Sequence, residues 1–366
     1  MGLLDYYRQF EGMTEEEVNA IKRAEAAERR RKALARQEPL DLSQTTWPSP
    51  PHPYVVNAVT YVARRGMQRY PIAGSSQLRS EIAHRHDVDP ARVAVGHGAA
   101  QLLSAAAQAL IEPGHELITP WPSYPLFPAM ARRARGKAVP VAAADPDTIL
   151  GAVNDRTRVV ALASPNDPTG ARLGTEDLRR LLGELPEQVA LLLDEALVDF
   201  ATDQPRDAAL ALLEECPRML VFRSFSKAWG LAGLRCGYAL GGPGAEQLVA
   251  LLPPELGVGE LTHAGVLEAL HTSSAGVERR ARALAAERDR LTGELRRRGL
   301  DVAPSQANFV WVAHPEHDGA AVADALARAG VLVAAGGPLG DPDRVRITAR
   351  DEASSQRLLR SIDTAL

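Results

Sequence analysis

Cysteine is scarce in this chain, with two thiols, Cys216 and Cys236, among 366 residues. Two thiols in no ligand spacing exclude a disulfide framework and a cysteine metal site, and they suit a reducing compartment. Aromatic residues make up only 5%. No apolar run reaches the roughly 18 residues that a spanning helix needs, so no membrane association is expected. An excess of one charge sign is also missing. Lys and Arg number 42 against 46 Asp and Glu, a net charge of −4, so there is no broad basic field for nucleic acid. The opening Met1-Gly2-Leu3-Leu4-Asp5 lacks the basic-then-apolar order of a signal peptide. Tyr6 stands where a myristoylation site requires Ser or Thr. A cytoplasmic location and no bound metal are expected.

The composition that remains, 45% hydrophobic and 24% charged, is ordinary for a globular protein. The length exceeds what one core usually holds, which predicts two domains around a cleft. Residues 15–36 are dense in charge and alanine, with Arg29, Arg30, Arg31 and Lys32 in a row. Ala, Glu and Arg favour helix, so residues 1–40 are expected to form a solvated helical arm, with packing on a partner subunit as a second reading. Trp47-Pro48-Ser49-Pro50-Pro51-His52-Pro53 cannot be helix interior and reads as a link between arm and body. The expected division is the arm, a large domain over 41–255 whose first part contributes to the small domain, and a small domain over 256–366.

Short apolar runs alternate with helical stretches from about Arg92. Strands are expected at 92–95, 116–119, 158–163, 189–193 and 219–222, with a helix over Ala99 to Leu110. Continuous apolar strands separated by helices predict an α/β fold with a mostly parallel sheet covered on both faces. Residues 260–298 read as one or two long helices. The segments 308–312, 320–329 and 345–348 read as a smaller α+β unit. In such sheets ligands sit beyond the carboxyl ends of the strands. That rule gathers Gly96 to Gln101, Ser164 to Gly170, Asp194 to Asp199 and Ser224 to Lys227 at one crevice.

The richest stretch is Ser224-Phe225-Ser226-Lys227-Ala228-Trp229-Gly230-Leu231-Ala232-Gly233-Leu234-Arg235-Cys236-Gly237-Tyr238. Two hydroxyls and an arginine there can hold a phosphate. Lys227 can form a Schiff base with an aldehyde if burial or a neighbouring cation lowers its pKa. Alone, a Ser-x-Ser-Lys run is as easily a surface turn.

Two further segments, Ser164-Pro165-Asn166-Asp167-Pro168-Thr169-Gly170 and Leu193-Asp194-Glu195-Ala196, precede it in fixed order. The three together resemble the class I/II aminotransferases of the fold-type I pyridoxal-phosphate enzymes, and among them the histidinol-phosphate aminotransferase-like branch. The likeness runs from about Leu40 to the C-terminus. It implies a seven-stranded-type sheet in the large domain, pyridoxal 5'-phosphate as cofactor, and transfer of an amino group from an amino acid or related primary amine to a 2-oxo acid. The resemblance implies Lys227 as the Schiff-base lysine and proton shuttle, and Asp194 as the partner of the pyridinium nitrogen. It implies Tyr124 as the aromatic on the ring. Ser224, Ser226, Arg235 and the Gly98-Ala99-Ala100 turn become the phosphate cradle, the turn through backbone N–H groups at a helix start. His97 beside that turn reads as structural. Tyr70, before Pro71, resembles the tyrosine that reaches the neighbouring subunit's cofactor, so a homodimer is expected. Arg346 matches the arginine for the substrate carboxylate, and Asn308-Phe309 a pair lining the cleft.

Three departures from the family pattern stand out. The family's Asn-Pro-Thr-Gly, whose Asn donates to the cofactor's phenolic oxygen, reads Asp167-Pro168-Thr169-Gly170 here. The family's Tyr after Asp-Glu-Ala is Leu197. Asp167 is repulsive beside a phenolate unless it carries a proton, and the alternative is that Asn166 donates instead. The segment Gly330-Val331-Leu332-Val333-Ala334 ends in alanine where histidinol-phosphate enzymes place a phosphate-binding arginine, which favours a non-phosphorylated substrate. A decarboxylase or lyase of the threonine-phosphate decarboxylase type is the alternative reading. A non-catalytic effector domain is a third reading, and residues 1–40 lack the helix-turn-helix it would carry.

Overall fold

The computed structural model describes residues 12–35, 38–71 and 75–366. Thirteen strands run in chain order among the described residues. They are β1 (Leu40–Asp41), β2 (Val93–Gly96), β3 (Glu116–Pro120), β4 (Lys137–Val141), β5 (Thr157–Ala163), β6 (Ala190–Asp194), β7 (Met219–Ser224), β8 (Gly237–Gly241), β9 (Asp301–Val302), β10 (Phe309–Ala313), β11 (Val331–Leu332), β12 (Ala334–Ala335) and β13 (Arg344–Thr348).

Seven of them form the main sheet in the order β2-β8-β7-β6-β5-β3-β4. Within it β8 alone runs against its neighbours. Successive side chains of a strand point to opposite faces, and here both sets are apolar. Val160, Leu162, Leu191, Leu193 and Val221 pack into one core cluster. Val159, Ala161, Leu192, Leu220 and Phe222 pack into the other. Each such side chain contributes roughly 1.5–3 kcal/mol on burial, so helices on both faces are the stable solution. The edge strand β4 carries Pro140, which a central strand would not tolerate.

A second, wholly antiparallel sheet has the order β12-β13-β10-β9. Its core holds Val310, Val345 and Ile347 with Leu291, Leu295 and Leu358 from two helices. Leu40 and Leu42 join this cluster, and β1 pairs in parallel with β11, Leu40 opposite Val331. The chain therefore enters the body through a two-stranded sheet that packs into the core of the C-terminal sheet.

The arm is helical over Glu15–Ala35. Thr14 and Glu17 cap it reciprocally: Glu17 N donates to Thr14 Oγ1 at 3.3 Å and Thr14 N to Glu17 Oε2 at 2.8 Å. The side chains of the Arg29–Lys32 run lie outside the described residues. The expected single or double helix over 260–298 is two helices, Glu260–Thr272 and Ser274–Arg297. Thr272 and Ser274 hydroxyls donate back to Glu268 O (2.7 Å) and Leu270 O (3.1 Å) at the break, which competes with regular helix bonding.

The Pro-rich stretch that follows the arm is itself part of the body. Trp47 is already packed in the body, under the Arg280 guanidinium at 5.0 Å from the ring centroid. His52 Nδ1 then accepts from Tyr54 N at 3.3 Å and Pro53 opens the helix Pro53–Gly66.

Candidate active site

The carboxyl ends of β2, β5, β6 and β7 border one cavity of about 190 Å3. Lys227, Asp194, Tyr124, Ser224, Ser226, Arg235, Asp167, Ala99 and Ala100 all line it.

One end of the cavity is built for an anion. Gly98 caps the helix Ala99–Leu110 at φ +87° and has no side chain to satisfy the first N–H groups. A Cβ at Gly98 would meet Arg235 Nη2 at 2.8 Å, and one at Gly237 would meet Ala99 N at 2.4 Å. Both glycines thus let the helix start, the Arg235 guanidinium and the beginning of β8 crowd together. Arg235 Nη1 donates to Ser226 Oγ at 3.3 Å, and Ser226 N donates to Ser224 Oγ at 3.0 Å. Arg235 itself is left-handed, at φ +51°, a conformation costing a non-glycine residue about 1–2 kcal/mol. A helix N-terminus, two hydroxyls and a guanidinium converge there, and this donor set fits a phosphate ester. His97, at the lip, is exposed; its N–H donates to Gln101 Oε1 at 3.2 Å.

Lys227 and Asp194 face the same space. Lys227 Nζ donates to Thr45 Oγ1. Burial holds the Lys227 ammonium below its ordinary pKa; Asp167 opposes this and Arg346 adds to it. Asp194, at the end of β6 and 7% exposed, accepts from Ala196 N at 2.9 Å. Burial pushes its carboxyl up to about 6, against the Ala196 N–H and the Lys227 charge. Among the described residues this carboxyl has no ion-pair partner within 4.0 Å, and it is suited to pair with a protonated ring nitrogen. The Tyr124 ring lies edge-on to Phe127, centroids 5.8 Å apart. Burial raises its hydroxyl pKa, and the charges of Asp194 and Asp167 raise it further.

Arg346 reaches the site from β13. Its Nη1 pairs with Asp167 Oδ1 at 2.5 Å, and its Nη2 donates to Ser43 O at 2.9 Å. The Asp167 carboxylate is therefore turned to the small sheet.

Five residues expected at the site stand apart from the cavity lining: Gly98 and Arg346, whose contacts are given above, and Asn166, Asn308 and Tyr70. Asn166 is 7% exposed and its amide is fully engaged in shaping the loop. Nδ2 donates to Pro122 O (3.1 Å) and Thr169 Oγ1 (2.9 Å), while Oδ1 accepts from Ser123 Oγ (2.6 Å). Those bonds engage both side-chain N–H groups of Asn166, the alternative donor to Asp167. Asn308 donates to Thr45 O at 3.0 Å and so holds the segment that touches Lys227. Tyr70 is 84% exposed.

Sequence reasoning passed over Thr45 and Thr46. Both belong to the segment between β1 and Trp47; Thr45 is bonded to Lys227 and Thr46 lines the cavity. They have no helical or strand period, and paired hydroxyls just before Trp47-Pro48 were the only local signal.

Residues 37–362 match the family described as aminotransferase class I and II. The chain belongs to that family. An aromatic amino acid aminotransferase of Cutibacterium acnes is 37% identical over 277 residues, covering 74% of this chain and 78% of the relative. One from Corynebacterium efficiens is 34% identical over 332 residues, covering 88% and 92%. Histidinol-phosphate aminotransferase 1 of Nitrosococcus oceani is 32% identical and covers 87% of this chain and 86% of its own. Among solved structures, histidinol-phosphate aminotransferase from Sinorhizobium meliloti in complex with pyridoxal-5'-phosphate superposes with a TM-score of 0.80 at 27% identity, over 93% of this chain and 94% of that one. The fold is the fold-type I aminotransferase fold, and the chain is an enzyme of amino-group transfer. The decarboxylase alternative gains nothing from these relatives.

Proposed function

We propose that this aminotransferase moves the amino group of a non-phosphorylated aromatic amino acid to a 2-oxo acid, and that it works as a homodimer in the cytoplasm. Amino-group transfer itself is carried by one observation: Lys227 and Asp194 share a cavity whose far end is an anion cradle. The substrate reading rests on Ala334. It lies directly opposite Arg346 across β12 and β13, so the neighbour of the carboxylate-binding position is a methyl group and not a cation. Aromatic amino acid aminotransferases among the relatives support the same side-chain class.

Pyridoxal phosphate is the cofactor, and when bound it supplies the electron-accepting ring that makes the substrate's α-proton labile. Ser224, Ser226, Arg235 and the N–H groups of Ala99 and Ala100 hold its phosphate in this reading. The partner subunit's Tyr70 adds a further donor. Asp194 keeps the ring nitrogen protonated, and Tyr124 packs on the ring. Lys227 attaches the cofactor and moves the proton at the α-carbon, a role for which its lowered pKa fits. Arg346 binds the substrate carboxylate, and Asn308 acts through Thr45. Tyr54, Tyr61, Met67 and Tyr70 are exposed on and after the helix Pro53–Gly66, which supports burial against a second copy. Two buried free thiols, Cys216 and Cys236, accord with a reducing cytoplasm.

The test is a turnover panel with 2-oxoglutarate as acceptor. Phenylalanine and tyrosine are expected to yield their oxo acids in step with glutamate, well ahead of histidinol phosphate. Faster turnover of histidinol phosphate would overturn the substrate reading. Release of carbon dioxide and amine without oxo acid would overturn transfer.

A further inference from the structure

Arg346 does not wait for a carboxylate; it already holds one. The Asp167–Arg346 pair is short at 2.5 Å, and both side chains are largely withdrawn from water, 15% and 12% exposed. Arg346 Nη2 is fixed on Ser43 O, its guanidinium carbon sits 5.5 Å from the Phe309 ring centroid, and its buried Nε has no partner. The guanidinium is thus held by Asp167, Ser43 and Phe309, and two of its five N–H groups are engaged. Asp167 occupies the face that looks into the cavity, because Asp167 lines that cavity and Arg346 does not.

We propose that Asp167 is an internal carboxylate that occupies the substrate-carboxylate position on Arg346, and that a substrate binds only by displacing it. This rests on the reading of Arg346 given above and assigns Asp167 a specificity role. Exchange of one carboxylate for another leaves the charge on Arg346 balanced, so an incoming α-carboxylate replaces the ion pair at little electrostatic cost. A neutral group offers no such exchange and leaves a part-buried guanidinium uncompensated. Asp167 therefore rejects substrates that lack a carboxylate and weakens all that have one. If the pair is closed nine times in ten or ninety-nine in a hundred, apparent carboxylate affinity drops by about ten- to a hundredfold.

Titrating holoenzyme with bare carboxylates, read from the cofactor's absorbance, tests this. Propionate and 3-phenylpropionate serve as the acids, and 2-phenylethylamine as the carboxylate-free control. Asp167→Asn is expected to bind both acids about tenfold tighter, with the amine no weaker than before. Asp167→Ser, a second uncharged variant, should do the same, and Asp167→Glu should restore the weak binding. Adding Arg346→Gln to Asp167→Asn should abolish the gain. Unchanged or weaker acid binding in both Asp167→Asn and Asp167→Ser would overturn the proposal, as would weaker binding of the amine in Asp167→Asn. The Arg346→Gln single variant judges the underlying reading separately. If it binds propionate as the parent does, Arg346 is not the carboxylate site, and the proposal falls for that reason and not through Asp167.

Discussion

Arg223 grips Glu195 with two hydrogen bonds, Nε and Nη2 to the same Oε2 at 3.0 and 2.7 Å, beneath the ends of the strands that carry Ser224 and Asp194. Both residues are 2% exposed, and Arg223 Nη1 also reaches Asp207 at 2.5 Å. The two site residues are the chain neighbours of this pair, so the pair ties β6 to β7 at the cavity floor.

Removing Glu195 leaves the buried Arg223 with only the half-exposed Asp207 as a charged partner. Glu195→Ala is expected to cost about 3–5 kcal/mol, read as a lower urea midpoint. Glu195→Leu with Arg223→Met should recover most of that loss. A single variant within 1 kcal/mol of the parent, roughly the value of an exposed pair, would show the pair to be inconsequential.

Asp194 makes the apoprotein sensitive to pH. Its folded carboxyl is raised to about 6, against about 3.9 when unfolded. Between those values the folded chain binds more protons than the unfolded one, so stability falls as pH rises from about 4 to about 6 and stays level above. Asp194→Asn removes the fall and should stabilise the cofactor-free protein above pH 6 by on the order of 3 kcal/mol. Melts of both proteins at pH 4.5 and 7.5 check this, and a gap of equal size at the two pH values would refute it.

Lys227→Ala should lose the borohydride-stable cofactor adduct seen by mass spectrometry in the parent. Turnover should drop by at least the 10²- to 10⁴-fold typical of a lost acid–base group, about that range at minimum. A persisting adduct at another residue would refute the assignment of Lys227.

Ala334→Arg sets a second guanidinium beside Arg346 on the same sheet face. Like charges opposite each other cost about 0.2–1 kcal/mol, a modest loss for a folded variant. Phosphorylated amines should gain in kcat/KM while phenylalanine loses. An unaltered ratio would mean that the β12 position does not border the substrate.

Sedimentation of Met67→Asp tests the dimer, since Met67 is among the exposed apolar residues after the helix Pro53–Gly66. A monomer with little activity is expected. Tyr70→Phe should stay dimeric and hold the cofactor roughly tenfold less tightly, the value of one hydrogen bond to a charged group. A fully active Met67→Asp monomer would remove the need for a partner.

Much of the large sheet was legible because its strands are buried on both faces, and a continuous apolar run such as Leu191–Leu193 carries that signal directly. The strand β8, Gly237–Gly241, was not, since Gly237 and Gly241 have no side chains to register an apolar pattern. The strand β4 was hidden by Pro140. The Lys227, Asp194 and Arg235 positions were readable because they sit in contiguous motifs. The pairing of Asp167 with Arg346, 179 residues apart, was not, because no local pattern specifies which distant charge a side chain meets. The role of Ser43–Trp47 was obscured for the same reason: its partners Asn308, Lys227 and Arg346 all come from later in the chain.

The reversed direction of β8 also sets how much length the lysine loop can vary. Because β8 starts at the edge where β7 ends, with Gly237 paired to Ser224, the chain must leave and return to the same point within a dozen residues. Both ends are pinned: one by that pairing, the other by Gly237 against Ala99. An inserted or deleted residue has no slack in which to be absorbed and must dislodge Ser226, Lys227 or Arg235 together. Loops at the opposite ends of the strands do not line the cavity and have more freedom to lengthen; this one behaves as a fixed-length cassette.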